Sequence, residues 1–314
     1  MIGFILMAGG LSLWAAAARP AKIKNVGKAP NFMALSRDGR TLYVTNYTSE
    51  ELVAVDTTDG RVLKRAYVGD TPLAITLSSE GDRAFVGNKT MGLVSVVDLK
   101  DLRVVDSLKV GGTPSGLAVS PRGHRLYVAN LTKGQQGALD VVDLGTGKVV
   151  KTIDGVSRPI AVAVAPNGRS IYVTNSAGQS VAVIDDEKLV IRTQIDVGDG
   201  PDGLVMSPDG TRLYVANRDS GDLSVVELPA EKLLINIPVG KRPFGLDVSP
   251  DGRMVYVVNT GSRTLSGVPA SLDLGKIRSF PVEKGPVGVV LSKDGRTAYV
   301  ANELSNTISV IDVK

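Results

Sequence analysis

The 314-residue chain holds one histidine, His124, and no cysteine. Disulfides, thiolate metal sites, thioether-linked haem and a cysteine nucleophile are therefore excluded. A metal centre needing two imidazoles is excluded too, and a serine–histidine–aspartate triad would have to use His124. That residue lies in Pro121-Arg-Gly-His-Arg125, a turn-forming run that faces solvent rather than a concave pocket. Carboxylates recur at Asp56, Asp98, Asp143, Asp185 and Asp312. Carboxylates perform acid–base work only where they converge, and these belong to separate segments, so turn bonding is the expected role. Arginines recur at Arg40, Arg83, Arg125, Arg169, Arg212, Arg253 and Arg296. A ring of them could hold an anion, but stems that cover apolar surface and pair locally are the simpler expectation. No catalytic residue, no metal site and no cofactor is predicted.

The segments that carry these residues are copies of one unit. Leu42-Tyr-Val-Thr-Asn46 returns as Ala84-Phe-Val-Gly-Asn88, Leu126-Tyr-Val-Ala-Asn130 and Ile171-Tyr-Val-Thr-Asn175. It appears again at Leu213–Asn217, Val255–Asn259 and Ala298–Asn302. Each copy holds four short apolar runs bounded by Gly, Pro and Asp, which predicts four β-strands. Such a repeat, of about 42 residues, is the unit of a β-propeller blade. The predicted fold is all-β, a seven-bladed propeller over residues 19–314. The last copy stops after three strands, and Lys22-Ile-Lys-Asn-Val-Gly27 aligns with a fourth strand, Ile235-Asn-Ile-Pro-Val-Gly240. The N-terminal strand should thus complete the C-terminal blade and leave no free edge at the seam.

Residues 1–18 carry no charge and end in Ala16-Ala17-Ala18, before Arg19. This predicts a secretory signal peptide, with an uncleaved membrane anchor as the alternative. The expected location is periplasmic or secreted, without stable membrane insertion after cleavage. Composition is that of a globular protein, 43% hydrophobic and 22% charged, with a net charge of +4. That charge is too dilute to mark a dedicated nucleic-acid binder.

Taken with its repeats, the chain resembles the YVTN-type seven-bladed propellers and, among them, the exported YncE-like group. The resemblance spans about residues 21–314. It implies the fold and, in some members, single-stranded nucleic-acid binding. For the latter the sequence offers only Phe32, Tyr47 and Phe244 near the loop face.

Function in such folds lies in positions that break the repeat. The residue after the repeat proline varies as Asn31, Leu73, Ser115, Ile160, Asp202, Phe244 and Val287, and should ring the channel mouth. Beside it stand Lys28, Arg158, Lys241, Arg242 and Lys284. The third unit has a longer loop, Leu131-Thr-Lys-Gly-Gln-Gln-Gly137, which contributes Lys133. Asn31, Arg158, Asp202, Lys241, Arg242, Phe244, Lys284 and Lys133 form the candidate binding set. A protein partner or an anionic small ligand suits it. The expected role is that of a monomeric, non-enzymatic binding or scaffold protein. An accessory to a periplasmic quinoprotein or redox system and a propeller lactonase or lyase are the alternatives. Sites of the latter kind need converging ligands, which the mouth ring lacks.

Overall fold

The computed structural model describes residues 21–131 and 137–314. Residues 1–18, where the sequence predicts a signal peptide, and Lys133 lie outside the described residues. Seven antiparallel four-stranded sheets are arranged as the blades of a propeller. In blade one the strands run Pro30–Leu35, Thr41–Asn46, Glu51–Asp56 and Val62–Tyr67, from the channel outward. Blade seven is completed by Lys22–Ile23, which pairs with Thr307–Asp312 through Lys22 opposite Ser309 and Ile23 opposite Ile308. The predicted closure is therefore present, and Ile23 is buried in it against Ile308 and Val287.

Burial is graded across each blade, which explains the strand sequences. Second and third strands are covered on both faces by neighbouring blades, so Leu42, Tyr43, Val44 and Thr45 are all buried. Outermost strands keep one face in water, and Lys232–Pro238 alternates exposed and covered residues. First and second strands are joined by a repeated turn. In blade five Ser207 Oγ donates to Asp209 at 2.6 Å and accepts the Arg212 N–H at 2.9 Å, while Gly210 takes a φ of 70°. The strand-end aspartates cap the turns that follow: Asp56 accepts the Thr58 N–H at 2.8 Å and Asp143 that of Thr146 at 2.7 Å.

The repeat asparagines, such as Asn46 and Asn88, stand at or near the ends of the second strands. Most reach sideways to the third strand. Asn88, Asn217, Asn259 and Asn302 donate to Ser95, Ser224, Ser266 and Ser309 at 2.7–2.9 Å. Blade three places Asp140 in that serine position, and this buried carboxylate accepts from Asn130 and Thr152. Burial holds its pKa above the ordinary carboxylate range. The serine takes an amide proton from each of Asn88, Asn217, Asn259 and Asn302, while their side-chain oxygens, like those of Asn46 and Asn130, stay buried without a hydrogen-bond partner among the described residues.

Neighbouring innermost strands approach backbone to backbone through Gly116, Gly203, Gly245 and Gly288. A Cβ on Gly203 would stand 2.1 Å from the Phe244 carbonyl oxygen. The central space is correspondingly small, about 150 Å³.

Candidate functional site

The loops joining outermost to innermost strands, and second to third strands, share the upper face around the channel. Two of the candidate cations have backbone built for this place. Arg158 and Arg242 immediately precede the blade prolines, and both take left-handed φ, 51° and 54°. The same position is left-handed at Ala29 and Thr71, so the strain belongs to the repeat and only the side chain is special.

Asp202 is the buried centre of the mouth, 1% exposed. Ser176 donates to one of its oxygens at 3.0 Å, and Arg218 stands 3.6 Å from the other. Burial pushes its pKa up, while Arg218, Ser176 and Arg158 oppose that shift. Arg218 also grips Asp219 through two bonds of 3.0 Å, which lowers the Asp219 pKa; Arg158 and Arg242 lower it further through their fields. Arg158, Asp202 and Arg242 therefore share one electrostatic cluster with Arg218 and Asp219. Neither the Arg158 nor the Arg242 side chain has a hydrogen bond or ion pair among the described residues. Lys241 lies in the same open groove between blades five and six, about 600 Å³, with its backbone N–H on Ser262 Oγ at 2.7 Å.

The other candidates are placed elsewhere. Phe244 lies in the throat, its ring 6.1 Å from that of Phe32 on blade one, and the pair meets past Gly288 of blade seven. Asn31 is buried beside it, its carbonyl against Gly288. Lys284 is exposed at the ring seam, where it helps Lys22 lower the pKa of Glu283. Tyr47 lies beneath the Lys89 ammonium, 5.7 Å from its ring centre. His124 is exposed on the lower face. Among the described residues no group of three or more His, Asp or Glu could hold a metal ion.

Sequence reasoning missed Ser176, Arg218 and Asp219. The residue after each repeat asparagine varies as Tyr47, Lys89, Leu131, Ser176, Arg218, Thr260 and Glu303, a second break in the repeat at the same mouth. It also missed Asp247, the one charge in its position of the innermost strands, where other blades carry Ala34, Thr76, Ala118, Ala163, Val205 and Val290.

Comparison with known proteins places this geometry among propellers. A family described as Lactonase, 7-bladed beta-propeller, matches residues 149–238, the segment that holds Arg158, Asp202, Arg218 and Asp219. No curated protein matches the chain. A chain of Kuenenia stuttgartiensis hydrazine synthase superposes with a TM-score of 0.81 at 25% identity, covering 93% of this chain and 97% of that one. A functionally unknown protein from Desulfotomaculum acetoxidans DSM 771 gives 0.76 at 18% identity, covering 86% and 92%. The chain is a seven-bladed β-propeller, and part of it matches a family of lactonase propellers.

Proposed function

We propose that the protein is an exported, non-enzymatic binding propeller whose upper mouth holds an anionic group of a small ligand or of a partner protein. One observation carries this reading: Arg158 and Arg242 flank the Asp202–Arg218–Asp219 chain with no ion pair of their own among the described residues. A carboxylate or phosphate arriving there would gain charge-assisted hydrogen bonds at little cost in reorganisation. The uncharged segment 1–18 supports export, and the repeated Tyr-Val-x-Asn runs support kinship with the YVTN-type, YncE-like propellers.

Native mass spectrometry of the protein purified from its own host tests the reading. A small added mass that the Arg158→Ala/Arg242→Ala variant loses would support a ligand site. An added protein mass lost in the same variant would support a scaffold, and a co-purifying dehydrogenase would narrow it to a redox accessory. Bare monomer in every preparation, with no anion-dependent binding to the mouth, would overturn it.

The lactonase match favours a second reading, hydrolysis of a lactone at the same mouth. Water would add to the ring carbonyl, the ring C–O bond would break, and the arginines would hold the new carboxylate. Turnover of simple lactones that disappears in the double-arginine variant would displace the binding role. A salt-dependent shift with short single-stranded DNA would instead favour nucleic acid.

A further inference from the structure

The lower face holds two equivalent grooves that differ by one carboxylate. Between blades three and four, Arg125 Nη1 donates to the Asp186 carboxylate at 3.1 Å and to its carbonyl at 2.7 Å. The Tyr127 hydroxyl donates to the same carboxylate. Asp186 is the first residue after the third strand of its blade, Ser180–Asp185. Blade five repeats the pair as Arg212 and Tyr214 at the same places in its second strand, Arg212–Asn217. The residue that faces them is again the first after a third strand, Thr264–Pro269, but it is Ala270. Arg212 still donates to the carbonyl of that residue. There is no side-chain carboxylate beside it.

Tyr214 registers the loss. The residue is 1% exposed, and its hydroxyl proton has no acceptor among the described residues. The guanidinium of Arg212 lies near enough to lower the phenol's pKa against the effect of burial, but a guanidinium only donates, so the hydroxyl proton stays unplaced. Two equivalent tyrosines do place theirs: Tyr256 on the Val313 carbonyl at 3.3 Å and Tyr299 on the Thr57 carbonyl at 3.4 Å. An unpaired buried hydroxyl is costly, and the cost is removed by any acceptor that enters.

The space for such an acceptor is present. The groove beside Tyr214 is open and about 990 Å³, widened by the short outer strand Arg278–Pro281 and the turn before it. Its own carboxylates are committed elsewhere. Asp209 accepts from Ser207 and Thr211, which hold its pKa at about 2, and Asp251 accepts from Ser249 and the Arg253 N–H. Arg253, Lys276 and Arg278 line the rest, with Met254, Pro269 and Ile277 as an apolar wall.

We propose that this groove binds a small organic acid whose carboxylate takes the place filled by Asp186 between blades three and four, on the Arg212 guanidinium and the Tyr214 hydroxyl. The apolar wall receives the carbon body of the acid. The site is on the opposite face from the upper mouth and does not depend on it.

Calorimetric titration of the full chain with succinate and with citrate at millimolar concentration tests the proposal. A saturable component that survives in Arg158→Ala/Arg242→Ala is expected, and in that background it is weakened about tenfold or more by Tyr214→Phe and lost in Ala270→Asp. The last substitution rebuilds the blade-four arrangement and should fold at least as stably as the parent; Tyr214→Phe retains a folded reference if it does not. Absence of saturable heat, or equal binding by Ala270→Asp, would overturn the proposal. Binding of a blocked glutamate tripeptide without either acid would overturn it in favour of an acidic side chain from a partner.

Discussion

Asp247 accepts the backbone N–H of Leu291 at 2.8 Å across the boundary between blades six and seven. Its second oxygen accepts the N–H of Val248 at 2.9 Å. The carboxylate keeps some solvent contact inside the channel, yet protein surrounds it on all sides, and that enclosure governs its charge. Desolvation raises its pKa to about 6, against the opposing pull of the two N–H groups and Lys293.

The raised value sets the sign of a pH dependence. Between about pH 4 and pH 6 the folded protein holds a proton on Asp247 that the unfolded chain has released, so stability contributed by this group falls as pH rises through that window and is level above it. Asp247→Asn should flatten the fall. The difference in urea-unfolding free energy between variant and parent should change by about 2 kcal/mol from pH 4.5 to pH 7. Identical pH profiles for both proteins would show that Asp247 does not titrate in this way.

Arg218 is expected to be the mouth residue on which stability depends most. Arg218→Ala leaves Asp202 buried with only Ser176 as a partner, and should cost about 1–3 kcal/mol at neutral pH. The loss should shrink in acid, because burial shifts the Asp202 pKa upward and so lets it take a proton sooner than an ordinary carboxylate. Arg158→Ala, which removes no ion pair among the described residues, should change stability by less than about 0.5 kcal/mol. Thermal unfolding of both variants at neutral and at acid pH measures the contrast.

Two glycines separate steric need from backbone conformation. Gly203→Ala drives a methyl into the Phe244 carbonyl at 2.1 Å, and should cost about 3 kcal/mol or prevent folding. Gly111→Ala meets nothing within 4 Å but must keep a φ of 68°, and should cost about 1 kcal/mol. Denaturant midpoints of the two variants give the comparison; equal losses would contradict it.

The asparagine relay predicts a pairwise coupling. In blade five Asn217 donates to Ser224, which donates onward to Asn236 at 2.7 Å, so three strands are tied in sequence. Asn217→Ala and Ser224→Ala should each destabilise by about 1–3 kcal/mol, and the double variant by clearly less than their sum. A double-mutant cycle by chemical denaturation settles the coupling.

Blade number, strand order and ring closure were legible in the sequence because they repeat. A turn glycine or a strand-ending asparagine recurs in the same place, and Lys22–Gly27 matches a strand otherwise missing from blade seven. The mouth was legible in part. Arg158, Asp202 and Arg242 stood out as departures beside the prolines, but Arg218 and Asp219 lie on a different loop of the same blade as Asp202, and only the fold brings the two loops together. The structure sets Lys284 beside Glu283 at the seam. The groove at Tyr214 was hidden for another reason: it depends on a residue, Ala270, whose importance is the carboxylate it lacks.

The seam has a consequence for the order in which the molecule can be completed. Lys22 and Ile23 are made long before their strand partner, Thr307–Asp312. Six blades can pair their own strands as they emerge, but the seventh must wait for that strand. A polypeptide cut short near its end would lose this join as well as its final blade. The open arc left behind would expose the edges that the closed ring conceals.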